Sequence, residues 1–296
     1  MVDGELEHFL NYIRSEKRYS ANTLSAYTTD LKQFVTYLAI QFTIQEINAI
    51  THFHIRSWLA ELKENKEAAS TLNRKISSLN SFFKYALKHG IAQSNPVKQL
   101  HAQRLPERLP VYLKQKETIH LLDELQFEQG FAGNTDRLIC ELLYATGMRR
   151  NELIELKEKN IEWSLKQLRV LGKGNKERLI PVSQALLDMV KDYLQLKQEE
   201  GIYNTEHLLC LPSGQPLYAV YVYRTVKKYL SEVTTQKKKS PHVLRHTFAT
   251  HLLGNGANIQ AIKDLLGHSS LAATQVYTHS SIERLKEIHM QNHPRG

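Results

Sequence analysis

From Phe9 to Ala86 apolar residues recur every third or fourth position, a period that fits helices and excludes strands. Phe9, Leu10, Tyr12 and Ile13 make one face of a first helix. Ser20 reads as the N-cap of a second, which carries Leu24, Tyr27, Leu31, Phe34, Val35 and Leu38. Thr51 opens a third with Ile55, Trp58, Leu59 and Leu62. Leu72, Ile76, Leu79, Phe82, Phe83, Tyr85 and Ala86 line a fourth, and Gly90 suits its stop. A small all-helical domain over residues 1–104 is the expectation.

Beyond it, RLPERLPVYL sets Pro106 and Pro110 among basic residues with few apolar anchors, which reads as a linker over 105–112. The remainder, 113–296, is mixed. Helices are expected near 115–127 and 135–146. Strands follow at Gln167–Leu171 and Arg178–Val182, joined by the turn Gly172-Lys173-Gly174-Asn175-Lys176 into a hairpin. Helices resume at 184–198, 217–233, 241–253, 258–266 and 270–278, with an amphipathic segment at 281–290. The fold class is therefore mainly α with a small antiparallel β-hairpin in the C-terminal domain.

The net charge is +9, with a pI near 9.3, which suits a polyanion such as nucleic acid but is also met in basic proteins with no such partner. Cys140 and Cys210 show no metal-ligand spacing, so two buried free thiols in a reducing cytoplasm are expected. Acids at Asp3, Glu5 and Glu7 do not suit a signal peptide, and no apolar run reaches the roughly 18 residues of a membrane span.

Five stretches of the C-terminal half bear on chemistry: YATGMRRNEL, LGKGNKERLIP, SPHVLRHTFATHL, LLGHSS and TQVYTH. Ser240 can cap a helix whose first residue is Pro241, which has no amide hydrogen to donate. His242 and Arg245, three residues apart, then share one face near a positive helix N-terminus, where a phosphate could meet imidazole and guanidinium together. Ordinary helix histidines beside a surface arginine fit the same spacing. His242 and His246 have the interval of a zinc pair, but Val243 stands where the HExxH glutamate would be. Arg149 follows a glycine break and could reach a phosphate with two parallel bonds, or be part of a solvated turn. Lys173 at a hairpin tip, His268 after the C-cap glycine Gly267, and Tyr277 each have an equally plain structural reading.

Taken together, Arg149, Lys173, His242, Arg245, His268 and Tyr277 match, in order and local context, the catalytic set of the tyrosine recombinase (phage-integrase-like) family. The words TGMRRNEL, GKGNKERLIP, HVLRHTFATHLL and LLGHSSLAATQVYTH match with them. RYSANTLSAYTTDLKQFVTYL and LNRKISSLNSFFKYALKHGIAQSNPV resemble that family's core-binding domain, so the likeness covers essentially the whole chain and is strongest to Xer-type enzymes. It implies a two-domain clamp on duplex DNA, formed by a helical core-binding domain and a catalytic domain. The implied reaction is cleavage and rejoining of DNA strands through a 3′-phosphotyrosine, with neither metal nor other cofactor. Tyr277 would be the nucleophile. Arg149 and Arg245 would clamp the phosphate, and His268 would donate to it. Lys173 would protonate the leaving 5′-oxygen, and His242 would accept or orient the tyrosine proton.

Glu152 either holds Arg149 by a salt bridge or is a surface acid; His246 and His251 read as structural. Arg18, Tyr19, Ser20, Asn22, Thr23, Arg74 and Lys75, near helix starts, are candidate DNA contacts. The segment 280–296 carries an apolar stripe of Ile282, Leu285, Ile288 and Met290. The family resemblance makes it a protomer-exchange segment of a homotetramer on two DNA duplexes, although it could instead close its own core. A second recombinase subunit or an activating partner is also compatible. Chromosome dimer resolution is the implied role, with mobile-element integration or promoter inversion as alternatives. The rivals are an inert DNA-binding protein, a type IB topoisomerase and, through Arg245-His246, a histidine phosphatase, whose RHG word lacks its glycine here because Thr247 follows.

Overall fold

In a computed structural model the structure describes residues 2–17, 19–104, 111–172, 177–203, 205–267 and 287–295. The chain divides into two compact units, Met1–Arg108 and Leu109–Gly296. No helix among the described residues is long and apolar enough to cross a membrane.

The first unit is built from α1 (Val2–Ser15), α2 (Ala21–Phe42), α3 (His52–Glu64) and α4 (Ala69–Lys88). The expected stripes supply its core: Phe9, Leu31, Phe34, Leu38, Ile55, Trp58, Leu79, Phe82 and Phe83 are all buried together. Ser20 caps α2 as expected, its hydroxyl accepting from the Thr23 amide. Gly90 stands two residues past the end of α4 with a φ of 70°.

The second unit opens with α5 (Gln115–Ile119), which runs into one π-helical turn at His120–Glu124. Next come α6 (Gly130–Thr146) and the five-residue α7 (Arg150–Ile154). A three-stranded antiparallel sheet follows: β1 (Ile161–Glu162), β2 (Gln167–Leu171) and β3 (Glu177–Pro181), in that order. The expected hairpin is present, its strands one residue from the predicted bounds at most, and β1 adds an edge that two residues could not announce. On the buried face Leu168 pairs with Ile180 and Val170 with Arg178. The unit is completed by α8 (Gln184–Glu199), α9 (Ala219–Val233), α10 (Pro241–Gly254) and α11 (Ile259–Leu266). The helix expected at 270–278 lies outside the described residues.

Helix α6 forms the centre of this unit. Leu138, Ile139, Cys140, Leu142, Leu143, Tyr144 and Ala145 are all buried, which leaves no solvent face in its middle turns. Both cysteines are buried free thiols. At the end of the chain, residues 287–292 are helical and pack on their own unit. His289 Nε2 donates to the Ala145 carbonyl at 2.9 Å, Asn255 donates to Asn292, and Arg295 pairs with Asp123. The expected stripe divides here: Ile288 packs inward whereas Met290 is exposed, and Ile282 and Leu285 lie outside the described residues.

Candidate active site

Two glycine corners set the site. Gly147 ends α6 with φ 58°, and Gly267 ends α11 with φ 62°, both in the left-handed region that a side chain resists. A Cβ on Gly147 would lie 2.5 Å from Phe248 Cδ1 and 2.9 Å from Leu266 Cδ2. The glycine therefore lets the end of α6 press against α10 and α11.

The last carbonyls of α11 carry the helix's partial negative charge and lack intrahelical partners. Three consecutive ones accept from three different arginines. Leu265 O takes Arg178 Nε at 2.9 Å, Leu266 O takes Arg245 Nη2 at 2.8 Å, and Gly267 O takes Arg149 Nη2 at 3.1 Å. Arg245 also donates Nη1 to the Gly147 carbonyl at 2.6 Å. Arg149 and Arg245, far apart in sequence, are thus fixed by main-chain oxygens rather than held only by flexible side chains.

Glu152 lies among these arginines and is buried, so it is not a surface acid. Its carboxylate accepts Arg149 Nη1 and the Arg149 amide, each at 2.7 Å, and Arg178 Nη1 and Nη2 at 2.9 and 2.8 Å. Burial pushes its pKa up, but the Arg178 bonds and charge and the Arg149 contacts outweigh that and hold it below the ordinary carboxylate value. Arg245 is lowered as well: burial first, then repulsion from Arg149 and Arg178, brings it down to about 10, still protonated at neutral pH. Three guanidiniums around one carboxylate leave a positive excess that a phosphate could neutralise.

His242 and Arg245 are both on α10, as expected, with Pro241 at its first position. Ser240 precedes them, but its hydroxyl makes no capping bond. His242 is exposed, and its pKa is lowered by desolvation and then by Arg245, His246, Lys238 and Arg150. It is therefore held neutral, the form that can accept a proton. His246 is exposed. His251 is structural, its Nδ1 2.9 Å from the Tyr144 hydroxyl and its Nε2 donating to the Leu113 carbonyl at 3.0 Å. Lys173, His268 and Tyr277 lie outside the described residues, although the two strands flanking Lys173 and the glycine preceding His268 are in place.

In the helical unit Tyr19, Ser20 and Asn22 are exposed at the start of α2 and Thr23 is half-buried, while Arg18 lies outside the described residues. Arg74 is exposed and donates to Asp30 and to the Ala26 carbonyl. Lys75 departs from its expected role. It is 3% exposed, bonded to Asp30 and Gln33, and lies over the Trp58 ring, so its ammonium serves as counter-charge to the buried Asp30 rather than as a phosphate contact.

Arg178 was missed by sequence reasoning, although a signal existed. Counting in twos from Ile180 puts Arg178 on the core face of β3, and a charge there requires a partner.

Residues 111–284 match the "Phage integrase family" and residues 6–90 match "Phage integrase, N-terminal SAM-like domain". The tyrosine recombinase XerC of Listeria welshimeri is 37% identical over 298 residues, 99% of each chain. The tyrosine recombinase XerD of Staphylococcus saprophyticus is 34% identical over the full length of both. Among solved structures, the XerH site-specific recombinase bound to palindromic difH substrate superposes with a TM-score of 0.71 at 23% identity, covering 89% of this chain and 78% of that one. Full-length relatives above 30% identity, a family match across most of the second unit, and a fold that brings distant arginines to one helix end have a single reading: the chain belongs to the phage integrase family, as a tyrosine recombinase.

Proposed function

We propose that this chain is a site-specific DNA recombinase that cleaves and rejoins strands with Tyr277 as nucleophile, acting as a tetramer on two duplexes in the cytoplasm to resolve chromosome dimers. The observation that carries the reading is the pair Arg149 and Arg245, anchored on adjacent carbonyls at the end of α11, with neutral His242 one turn before Arg245.

In this mechanism the two guanidiniums hold the nonbridging oxygens of the scissile phosphate and stabilise the charge that grows there as phosphorus is attacked. His242 takes or orients the Tyr277 hydroxyl proton as the oxygen bonds to phosphorus, and His268 adds a hydrogen bond to the phosphate. Lys173, in the loop between β2 and β3, protonates the departing 5′-oxygen. The phosphodiester energy is stored in the 3′-phosphotyrosine, and a 5′-hydroxyl from the partner strand reverses the step. The exposed start of α2, with Tyr19, Ser20, Asn22 and Thr23, joined by Arg18 and Arg74, supplies DNA contacts from the helical unit. The same proposal takes residues 1–104 as a core-binding domain, 105–112 as a linker and 113–296 as a catalytic domain whose end, about 280–296, packed on its own unit in the single chain, is exchanged between protomers in the tetramer.

The test is resolution of a supercoiled plasmid carrying two directly repeated sites, selected from an inverted-repeat library for covalent capture by this chain. Two product circles are expected. Binding without exchange would instead favour an inert DNA-binding protein, and relaxation of plasmids lacking the site would favour a topoisomerase.

A further inference from the structure

Arg178 places a guanidinium side chain on the core face of a strand, 4% exposed, opposite Val170. Burying a guanidinium is expensive unless its donors are satisfied. Here the fork closes on both oxygens of Glu152 at 2.9 and 2.8 Å, and Nε takes the Leu265 carbonyl at 2.9 Å. A hydrophobic residue would satisfy the strand equally well, so packing alone does not account for an arginine at this position.

What the arginine does is visible in what it touches. Glu152 binds Arg149 through both the side chain and the backbone amide. Left alone with Arg149, the carboxylate would offset most of that residue's positive charge; shared with Arg178, it holds Arg149 in place without neutralising it. Gly267, the corner leading into His268, lies directly over the Arg178 side chain: a Cβ there would meet Arg178 Cδ at 3.1 Å and Nη1 at 3.3 Å. On its own strand, Arg178 follows Glu177, where β3 leaves the loop that contains Lys173. One side chain therefore ties together the bases of two segments, those bearing Arg149 and His268.

We propose that Arg178 is a positioning residue of the strand-transfer site: its buried fork on Glu152 and its bond to Leu265 set the orientation of Arg149 and the Gly267 corner. The inference rests on the recombinase reading above. Arg178 itself contacts no DNA in this account, so its removal should slow chemistry and leave binding nearly intact.

The experiment compares wild type, Arg178→Met, Arg178→Lys, Glu152→Gln and the Arg178→Met/Glu152→Gln double variant on a nicked duplex selected for covalent capture by wild type. Three quantities are read: single-turnover adduct rate at saturating DNA, Kd for the same duplex, and thermal unfolding. Arg178→Met is expected to slow adduct formation about 100-fold, the scale of losing one preorganised transition-state donor, with Kd changed less than threefold. Arg178→Lys keeps the charge without the fork and should fall between the two. The double variant should be no slower than the slower single one, because both changes break one unit. Should Arg178→Met fail to fold, Arg178→Lys carries the test: a rate loss at unchanged Kd and unfolding temperature supports the role. A folded variant cleaving within twofold of wild type overturns it, as does a rate loss matched by an equal loss of DNA affinity. If wild type itself captures no duplex, the recombinase reading fails, and this inference with it.

Discussion

Replacing Gly147 with alanine should be far more damaging than a glycine substitution of the same backbone geometry elsewhere in the unit. Gly147 and Gly201 both have positive φ, 58° and 71°, but a Cβ at Gly201 meets nothing within 4 Å. Left-handed backbone costs a non-glycine residue about 1–2 kcal/mol. The alanine recovers about 0.4–1 kcal/mol by restricting the unfolded chain. Gly201→Ala should therefore destabilise by about 1 kcal/mol. Gly147→Ala suffers the same strain and in addition drives a methyl to within 2.5 Å of Phe248 and 2.9 Å of Leu266, both buried and unable to swing aside. Overpacking of that kind adds about 1–3 kcal/mol, for a total near 2–4 kcal/mol. The relaxation also displaces the carbonyl that receives Arg245, so strand cleavage should fall at least about tenfold, the effect of roughly 1.4 kcal/mol in the barrier, whereas Gly201→Ala should cleave like wild type. Hydrogen exchange of α6 and α10 peptides across a urea series measures the first quantity, and single-turnover cleavage the second. Equal destabilisation by the two substitutions would refute the close-approach argument, and unchanged cleavage by Gly147→Ala would refute the anchoring one.

Other consequences concern charge. Glu152 has a lowered pKa, so its contribution to stability is complete above the unfolded value and is lost as pH falls through the lower folded one. The unfolding free energies of wild type and Glu152→Gln should therefore converge as pH falls below the ordinary carboxylate range; a gap that widens on acidification would contradict this. His289 and His293 are held neutral by burial, His293 down to about 2 with further repulsion from His289, His251 and Arg295. Tyr144 lies against the His293 ring, and Glu141 and Asp123 pair with Arg295. Because the undocked tail would take up protons near pH 6.5 and the docked tail would not, docking of 287–295 should weaken below that pH by up to about 1.4 kcal/mol per histidine per pH unit. Exchange protection of that segment, corrected for intrinsic rate, should fall from pH 7.5 to 5.5; constant protection would count against the reading. Lys75→Met should destabilise the helical unit by about 3 kcal/mol, by leaving Asp30 with Arg74 as its cationic partner. It should leave the salt dependence of DNA affinity unchanged, whereas removing a true phosphate contact lowers that slope by about 1.

Much of this molecule was legible in its sequence because long elements repeat their signal. Helices α2 and α4 place an apolar residue inward at every turn, and strands β2 and β3 flank a turn of glycine, asparagine and lysine. The glycine stops at 147 and 267 were readable for the same reason: each interrupts a strong helical run. The five-residue α7 and the two-residue β1 are shorter than the periods that would announce them. The start of α6, Gly130-Phe131-Ala132-Gly133-Asn134, reads as loop by composition, yet Gly133 is required where the backbone passes the Glu128 carbonyl.

Lys75 and Arg178 were hidden because a charge is assumed to face water. Their positions said otherwise: Lys75 lies three residues after Leu72 and four before Leu79 on the apolar stripe of α4, and Arg178 two before Ile180 on the inner face of β3. Arg149 and Arg245 could be picked out from their order and context, but the helix end that gathers them could not. That arrangement depends on contacts between α6, α10 and α11, which no local window contains.

The most direct test of the central claim is denaturing capture of the protein on a nicked duplex carrying its selected site, with the linked peptide mapped by mass spectrometry, for wild type and Tyr277→Phe. The account predicts an adduct from wild type alone, with the DNA 3′-phosphate on the peptide containing Tyr277. An adduct of equal yield from Tyr277→Phe, or one mapped to another residue, would contradict it.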